Sequence, residues 1–121
     1  MCGQKRGLPK TAKLLKAADY QYVFDKAVRS SDAYFTVLAR VNTLETARLG
    51  MAFSKKRVRL AVARNRLKRI TRESFRLTAD KFRADYVVLA GAQCTGASNR
   101  QLFQSLERHW QKLSKKCEKL S

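Results

Sequence analysis

Acidic residues are scarce in this chain of 121 residues: nine Asp and Glu stand against 27 Lys and Arg, a net charge of +18. The acids (Asp19, Asp25, Asp32, Glu45, Glu73, Asp80, Asp85, Glu107 and Glu118) are spread singly, with no DxD or ExxH grouping. Phosphodiester hydrolysis at a protein-borne metal site needs clustered carboxylates, so the sequence argues against that chemistry in the protein. Histidine is rarer still. His109 stands alone, which leaves no credible Ser/His/Asp set, and its place beside Trp110 in a terminal helical pattern reads as a surface position. The three cysteines, Cys2, Cys94 and Cys117, are odd in number, widely spaced and without a CxxC. Neither a zinc site nor a disulfide framework follows from them. No stretch approaches a membrane span, and the opening MCGQKRGLPKTAK lacks the apolar run of a secretory signal. The expectation is a soluble, cytoplasmic protein.

What is present is a core and a large excess of positive charge. At 45% hydrophobic residues the chain has enough apolar material to fold, and its length fits one domain. The charge is concentrated. Ten of the 22 residues from Lys55 to Arg76 are Lys or Arg, and only Glu73 is acidic. At about 100° per residue, Leu60, Ala63, Leu67, Ile70, Ser74 and Leu77 fall on one stripe. Arg64, Asn65, Lys68, Arg69, Arg72 and Arg76 share an arc of roughly 140° on another side. Solvated helix faces normally mix signs because like charges at i,i+4 repel, yet Arg64, Lys68 and Arg72 stack three positives at that spacing. The pattern reads as a helix over about 58–77 that docks one side on a core and offers the other to a polyanion, with nucleic acid the natural partner.

The remaining elements follow from periodicity. Residues 1–15, with Gly3, Gly7 and the sole proline Pro9, read as a flexible basic arm. Tyr20, Val23, Phe24 and Ala27 recur at helical spacing and predict a helix over about 17–28, with a turn at 30–32. Residues 33–41 alternate as a strand: Phe35, Val37, Ala39 and Val41 face a core, and Tyr34, Thr36, Leu38 and Arg40 a mixed surface. A second strand over 47–53 is expected to pair antiparallel with it. Residues 86–90 (YVVLA) read as a strand buried on both faces. Ser98 with Gln101 fits a capping box opening a last helix whose apolar side carries Leu102, Phe103, Leu106, Trp110 and Leu113. Residues 116–121 are left as a tail. The sum is a small single-domain α/β sandwich.

The motif Ser54-Lys55-Lys56, followed by AVxRNRxKRxxRExFR from Ala61 to Arg76, resembles the protein subunit of bacterial ribonuclease P. The likeness extends over about 14–113, through YxxVF at Tyr20–Phe24, RLGMAFSKK at Arg48–Lys56 and the YVVLA strand. The resemblance implies a central β-sheet with flanking helices and a left-handed βαβ crossover carrying the basic helix, all within residues 16–115. It implies a partner, a catalytic RNA, with one protein per RNA. Together they would remove the 5′ leader of precursor tRNA endonucleolytically, with Mg²⁺ held mainly by the RNA and no catalytic residue in the protein. By matched position Arg64, Asn65, Arg66, Lys68, Arg69 and Arg72 would meet that RNA, joined by Lys55 and Lys56. Arg66 projects off the basic arc and so also fits a role in loop geometry or a separate phosphate contact. A cleft of Tyr20, Phe24, Thr36 and Leu38 would hold the single-stranded leader, whereas periodicity alone reads Tyr20 and Phe24 as core packing. Charge alone also fits a ribosomal-type structural RNA-binding protein, which would not explain the SKK–RNR–KRxxRE constellation.

Overall fold

A computed structural model describes residues 17–42, 46–78 and 82–120; the basic arm lies outside them. The order is α1 (Ala17–Asp25), β1 (Val28–Ser31), β2 (Phe35–Val41), β3 (Arg48–Ala52), α2 (Ala61–Leu77), β4 (Ala84–Ala90), a 3₁₀ turn at Cys94–Gly96, and α3 (Asn99–Leu120). The four strands form one sheet in the order β1-β2-β4-β3. β2 pairs antiparallel with β1 and with β4, while β3 runs parallel to β4.

Two expectations about the sheet fail. The helix predicted to reach Val28 ends at Asp25, and β1 replaces its last turn and the turn after it. β1 is only four residues, VRSS, too short and polar to show a period of two; its Ser30 is buried because it pairs with Val37. Nor do β2 and β3 pair. β4 inserts between them, because its wholly apolar centre (Tyr86, Val87 and Val88, all 0% exposed) needs cover on both faces and neighbours on both edges.

α2 connects the parallel neighbours β3 and β4, and the hand of this crossover follows from L-chirality. The Asp32 N–H donates to the Phe35 carbonyl at 2.9 Å, so the peptide groups of Phe35 point toward β1. The Phe35 side chain joins the core cluster of Leu67, Leu102 and Trp110, on the side of α2 and α3. Seen from that side with β2 running upward, an L-residue whose side chain faces the viewer projects its N–H and C=O to the right. β1 is therefore on the right, and β4 and then β3 lie to the left, both running down. With the view turned so that β3 and β4 run up, β4 stands left of β3 with α2 in front. This is a left-handed crossover, against the usual preference and as the resemblance implied.

Between the sheet and the α2–α3 layer lies the main core. Phe75, Tyr86 and Trp110 meet edge-to-face with ring centroids 5.4–5.9 Å apart, a geometry worth about 0.5–1.5 kcal/mol per pair beyond burial. Ser74, polar within an apolar stripe, accepts a 2.9 Å hydrogen bond from the Trp110 indole. The stripe itself is tilted: Leu67 and Ile70 are buried, Leu60 and Leu77 are exposed, and Thr71 and Phe75 take their places. α2 begins at Ala61 rather than at about 58. Ser98 and Gln101 make the reciprocal bonds of the capping box, at 2.9 and 3.2 Å. α3 runs on through the residues read as a tail, with Cys117 fully buried and the Lys116 ammonium 2.9 Å from the Arg29 carbonyl. Burial pushes the Cys94 thiol up and the Cys117 thiol up to about 11, so both are packing groups rather than nucleophiles. Gly91 is required by close approach, since a Cβ there would sit 2.7 Å from the Ala33 carbonyl oxygen.

His109 is not at the surface. It is 3% exposed, its Nδ1 is 2.7 Å from Ser30 Oγ, and its Nε2 is 3.3 Å from Asp32 Oδ2. Burial holds its pKa below the ordinary value, against the raising influence of Asp32. Asp32 is itself desolvated, which opposes ionisation. The Ser105 hydroxyl, the Phe35 and Tyr34 N–H groups and His109 outweigh that and bring it down to about 2. The network ties the β1–β2 turn to α3.

Candidate nucleic-acid interface

α2 follows the turn that carries Lys55 and Lys56, both exposed. Its N-cap, Leu60, offers no side-chain acceptor, and its first turn holds no acid. The eight basic-surface residues then divide by what they touch. Arg64 turns back: its Nη1 donates to the carbonyls of Val58 at 2.8 Å and Arg59 at 3.1 Å, pinning the loop that enters the helix. Arg66 crosses to α3, with Nε donating to Asn99 Oδ1 at 3.0 Å and Nη2 to the Ala97 carbonyl at 2.7 Å. These bonds match the structural one of the two roles its off-arc position left open.

Asn65, Lys68, Arg69 and Arg72 are different. They make no side-chain hydrogen bond or ion pair among the described residues. Asn65 and Arg69 are exposed; Lys68 and Arg72 are half-buried. Arg76 is neutralised by Glu73 at 2.9 Å and closes this face at its C-terminal end. About two turns of helix therefore present donors that no partner among the described residues compensates, with Arg64 and Arg66 anchoring the start of α2.

The second surface is the opposite face of the sheet, where α1 packs. Val23 is fully buried against Val87, and Tyr20, Leu38 and Leu89 pack around that pair. Tyr20 is half-buried, and its hydroxyl accepts the Met51 N–H at 3.3 Å. Thr36 shares its hydroxyl with Ser31 at 3.0 Å. Tyr20 and Leu38 thus serve packing as well as lining the surface, while Phe24, 44% exposed, is the open aromatic. A feature absent from the sequence reading lies alongside. Tyr22 is exposed, the Arg40 guanidinium sits 3.7 Å over its ring, and Arg40 also donates to the Tyr22 carbonyl at 2.7 Å. The only sequence signal for it is an aromatic one residue off the apolar stripe of α1.

No group of three or more His, Cys, Asp or Glu side chains converges among the described residues. Buried Asp85 is engaged by Arg48 and Asn42, and half-buried Asp32 by Ser105 and two backbone N–H groups. These residues do not fit a Mg²⁺ site. No helix among them is long and apolar enough to cross a membrane.

A single α/β domain with a left-handed crossover, an uncompensated basic helix and an aromatic surface behind the sheet defines a nucleic-acid-binding protein. The comparisons with known proteins then give the family. The Ribonuclease P family model matches residues 8–114. The chain is 46% identical over 116 residues to the ribonuclease P protein component of Methylococcus capsulatus, covering 95% of this chain and 91% of that one. It is 42% identical over 104 residues to that of Vibrio vulnificus, covering 85% and 88%. Among solved structures it resembles the Staphylococcus aureus RNase P protein (TM-score 0.78, 31% identity, 88% and 97% covered). The Thermotoga maritima RNase P protein gives a TM-score of 0.74 at 25% identity, with 83% and 96% covered. The chain belongs to the ribonuclease P protein family. It is a protein component of the holoenzyme that processes tRNA 5′ ends together with an RNA subunit.

Proposed function

We propose that this protein binds the catalytic RNA through the face of α2 bearing Asn65, Lys68, Arg69 and Arg72, with Lys55 and Lys56, and the 5′ leader of precursor tRNA through the α1 surface. The observation that carries the reading is the run of α2 side chains without protein partners. Other half-buried cations among the described residues are paired, as Arg48 is with Asp85, whereas half-buried Lys68 and Arg72 are left for an external polyanion. Arg64 and Arg66 act from beneath, fixing the helix entry so that the open donors keep one register. Mg²⁺, held mainly by the RNA, supplies the hydrolytic chemistry. The protein's part is to offset phosphate repulsion between RNA and substrate and to hold the leader. One protein per RNA, acting in the cytoplasm, suits a single contact face of this size.

Lys68→Ala and Arg69→Ala should each weaken binding to the RNA subunit by about 1–3 kcal/mol, the range for charge-assisted contacts. Each should also lower the log–log salt slope by about one unit. Titration across salt concentrations reads both, and a double variant with unchanged affinity and slope removes α2 from the interface.

Leader recognition is tested at Phe24, where an open ring supplies a sequence-tolerant stacking surface. With folding verified by circular dichroism, Phe24→Ala should cost about 1–3 kcal/mol on precursor tRNA carrying a leader of several nucleotides. Mature tRNA should bind as before. An equal loss on both substrates would reduce Phe24 to packing and leave a structural RNA-binding role.

A further inference from the structure

The N-terminus of α2 exposes Leu60, Ala61 and Val62 in succession. Leu60 is 70% and Val62 78% exposed, and neither belongs to a core cluster. Three consecutive exposed apolar residues are an anomaly on a protein surface unless something covers them. Their surroundings say what. Exposed Lys55, Lys56, Arg57 and Arg59 precede them in the chain. At helical spacing Val62 lies on the same side of α2 as Asn65 and Arg69, about one and two turns further on. A polyanion following that face therefore passes over Val62. A second copy of this chain, itself at +18, would bring a like-charged rim to the same place and be repelled.

We infer that Val62, flanked by Leu60 at the helix entry, forms an apolar contact for an unpaired nucleobase of the RNA subunit, at the end of the basic face. The inference rests on the RNA-binding reading of α2 and adds a component to it. A paired A-form helix turns phosphates and 2′-hydroxyls outward and keeps its base faces stacked. An aliphatic side chain finds an apolar partner only where a base is unstacked. The surface thus favours a bulge, loop or joining strand over a continuous duplex, with the surrounding cations taking the flanking phosphates.

The test is equilibrium binding of the RNA subunit across salt by four proteins: wild type, Leu60→Ser/Val62→Ser, Leu60→Met/Val62→Ile, and Lys68→Ala/Arg69→Ala. A fully paired RNA duplex is the second ligand. Serine at position 60 supplies the helix cap that leucine lacks, so unravelling of α2 does not mimic the effect. The serine pair should bind the RNA subunit about tenfold more weakly, as expected for about 50 Å² of apolar surface left wet. Its salt slope should stay at the wild-type value, because apolar contacts release no counterions. Duplex affinity should be unchanged, and the conservative pair should bind as wild type does. The proposal is overturned by wild-type affinity in the serine pair, by an equal loss on the duplex, or by a reduced slope. Self-association of wild type that the serine pair abolishes, with RNA affinity unchanged, also overturns it. If Lys68→Ala/Arg69→Ala leaves affinity and slope intact, the RNA-binding reading of α2 fails as well. A serine effect that vanishes while the cation variants still weaken binding sinks only the nucleobase contact.

Discussion

Freed of RNA, the protein should leave precursor tRNA intact at every Mg²⁺ concentration, an all-or-none difference from the reconstituted holoenzyme. The physical ground is the state of its acids. Asp85 is buried under Arg48 and Asn42, Asp32 is saturated by Ser105 and two N–H groups, and Glu73 is paired with Arg76. Each of these three carboxylates is already engaged by protein donors, and they lie on different elements, so no two of them can clamp a metal and its water. His109 is buried with its pKa pushed down by desolvation and faces Ser30 and Asp32 rather than an open surface. Added to the RNA subunit, the protein should permit cleavage at lower Mg²⁺, since its charge replaces part of the screening that Mg²⁺ provides. The cut site should not move. Primer extension on products of nuclease-treated protein, with heat-denatured protein as control, checks this. A correct 5′ end made without RNA would return the chemistry to the protein.

Asp85→Ala should cost about 3 kcal/mol of folding free energy, near the lower end for breaking a buried ion pair because Arg48 retains some exposure (20%). Asp85 is 1% exposed and accepts from Arg48 Nε at 2.9 Å, Arg48 Nη2 at 2.8 Å and Asn42 Nδ2 at 2.8 Å. Arg48 and Asp85 are register partners across the parallel β3–β4 pair. The bidentate contact therefore fixes that pairing at the start of the crossover, and Asn42 ties in the end of β2. Removing the carboxylate takes the shared acceptor from a guanidinium and an amide in a largely buried site. Asp85→Asn keeps an acceptor oxygen and should lose less. Chemical denaturation of both variants gives the comparison. A loss under about 1 kcal/mol for Asp85→Ala would place the pair with surface bridges and remove its role in holding the sheet.

The C-terminal extent of α3 was not legible in residue order, whereas the basic and apolar sides of α2, the existence of α3 and its capping box at Ser98 and Gln101, and the buried run of β4 were. Each depends on contacts within one turn or one strand, where periodicity and capping act locally. That the partner is a polyanion followed from the same local pattern, because a helix that stacks Arg64, Lys68 and Arg72 with a single acid, Glu73, favours one. Its identity as a catalytic RNA came from the family resemblance. Tertiary structure decided the rest. β4 stands between β2 and β3 because burying it on both faces outweighs the convenience of a hairpin between sequence neighbours. VRSS becomes a strand only because Val37 and His109 wait for Ser30. Arg64 and Arg66 look in sequence like their neighbours, yet carbonyls at Val58, Arg59 and Ala97 tie part of each guanidinium to the fold. Those acceptors are placed by the path of a loop and the start of another helix, which no spacing within α2 encodes. The sequence by itself determined what kind of partner this protein meets. Only the packed chain decided which of its cations the fold itself engages, because those acceptors come from other elements.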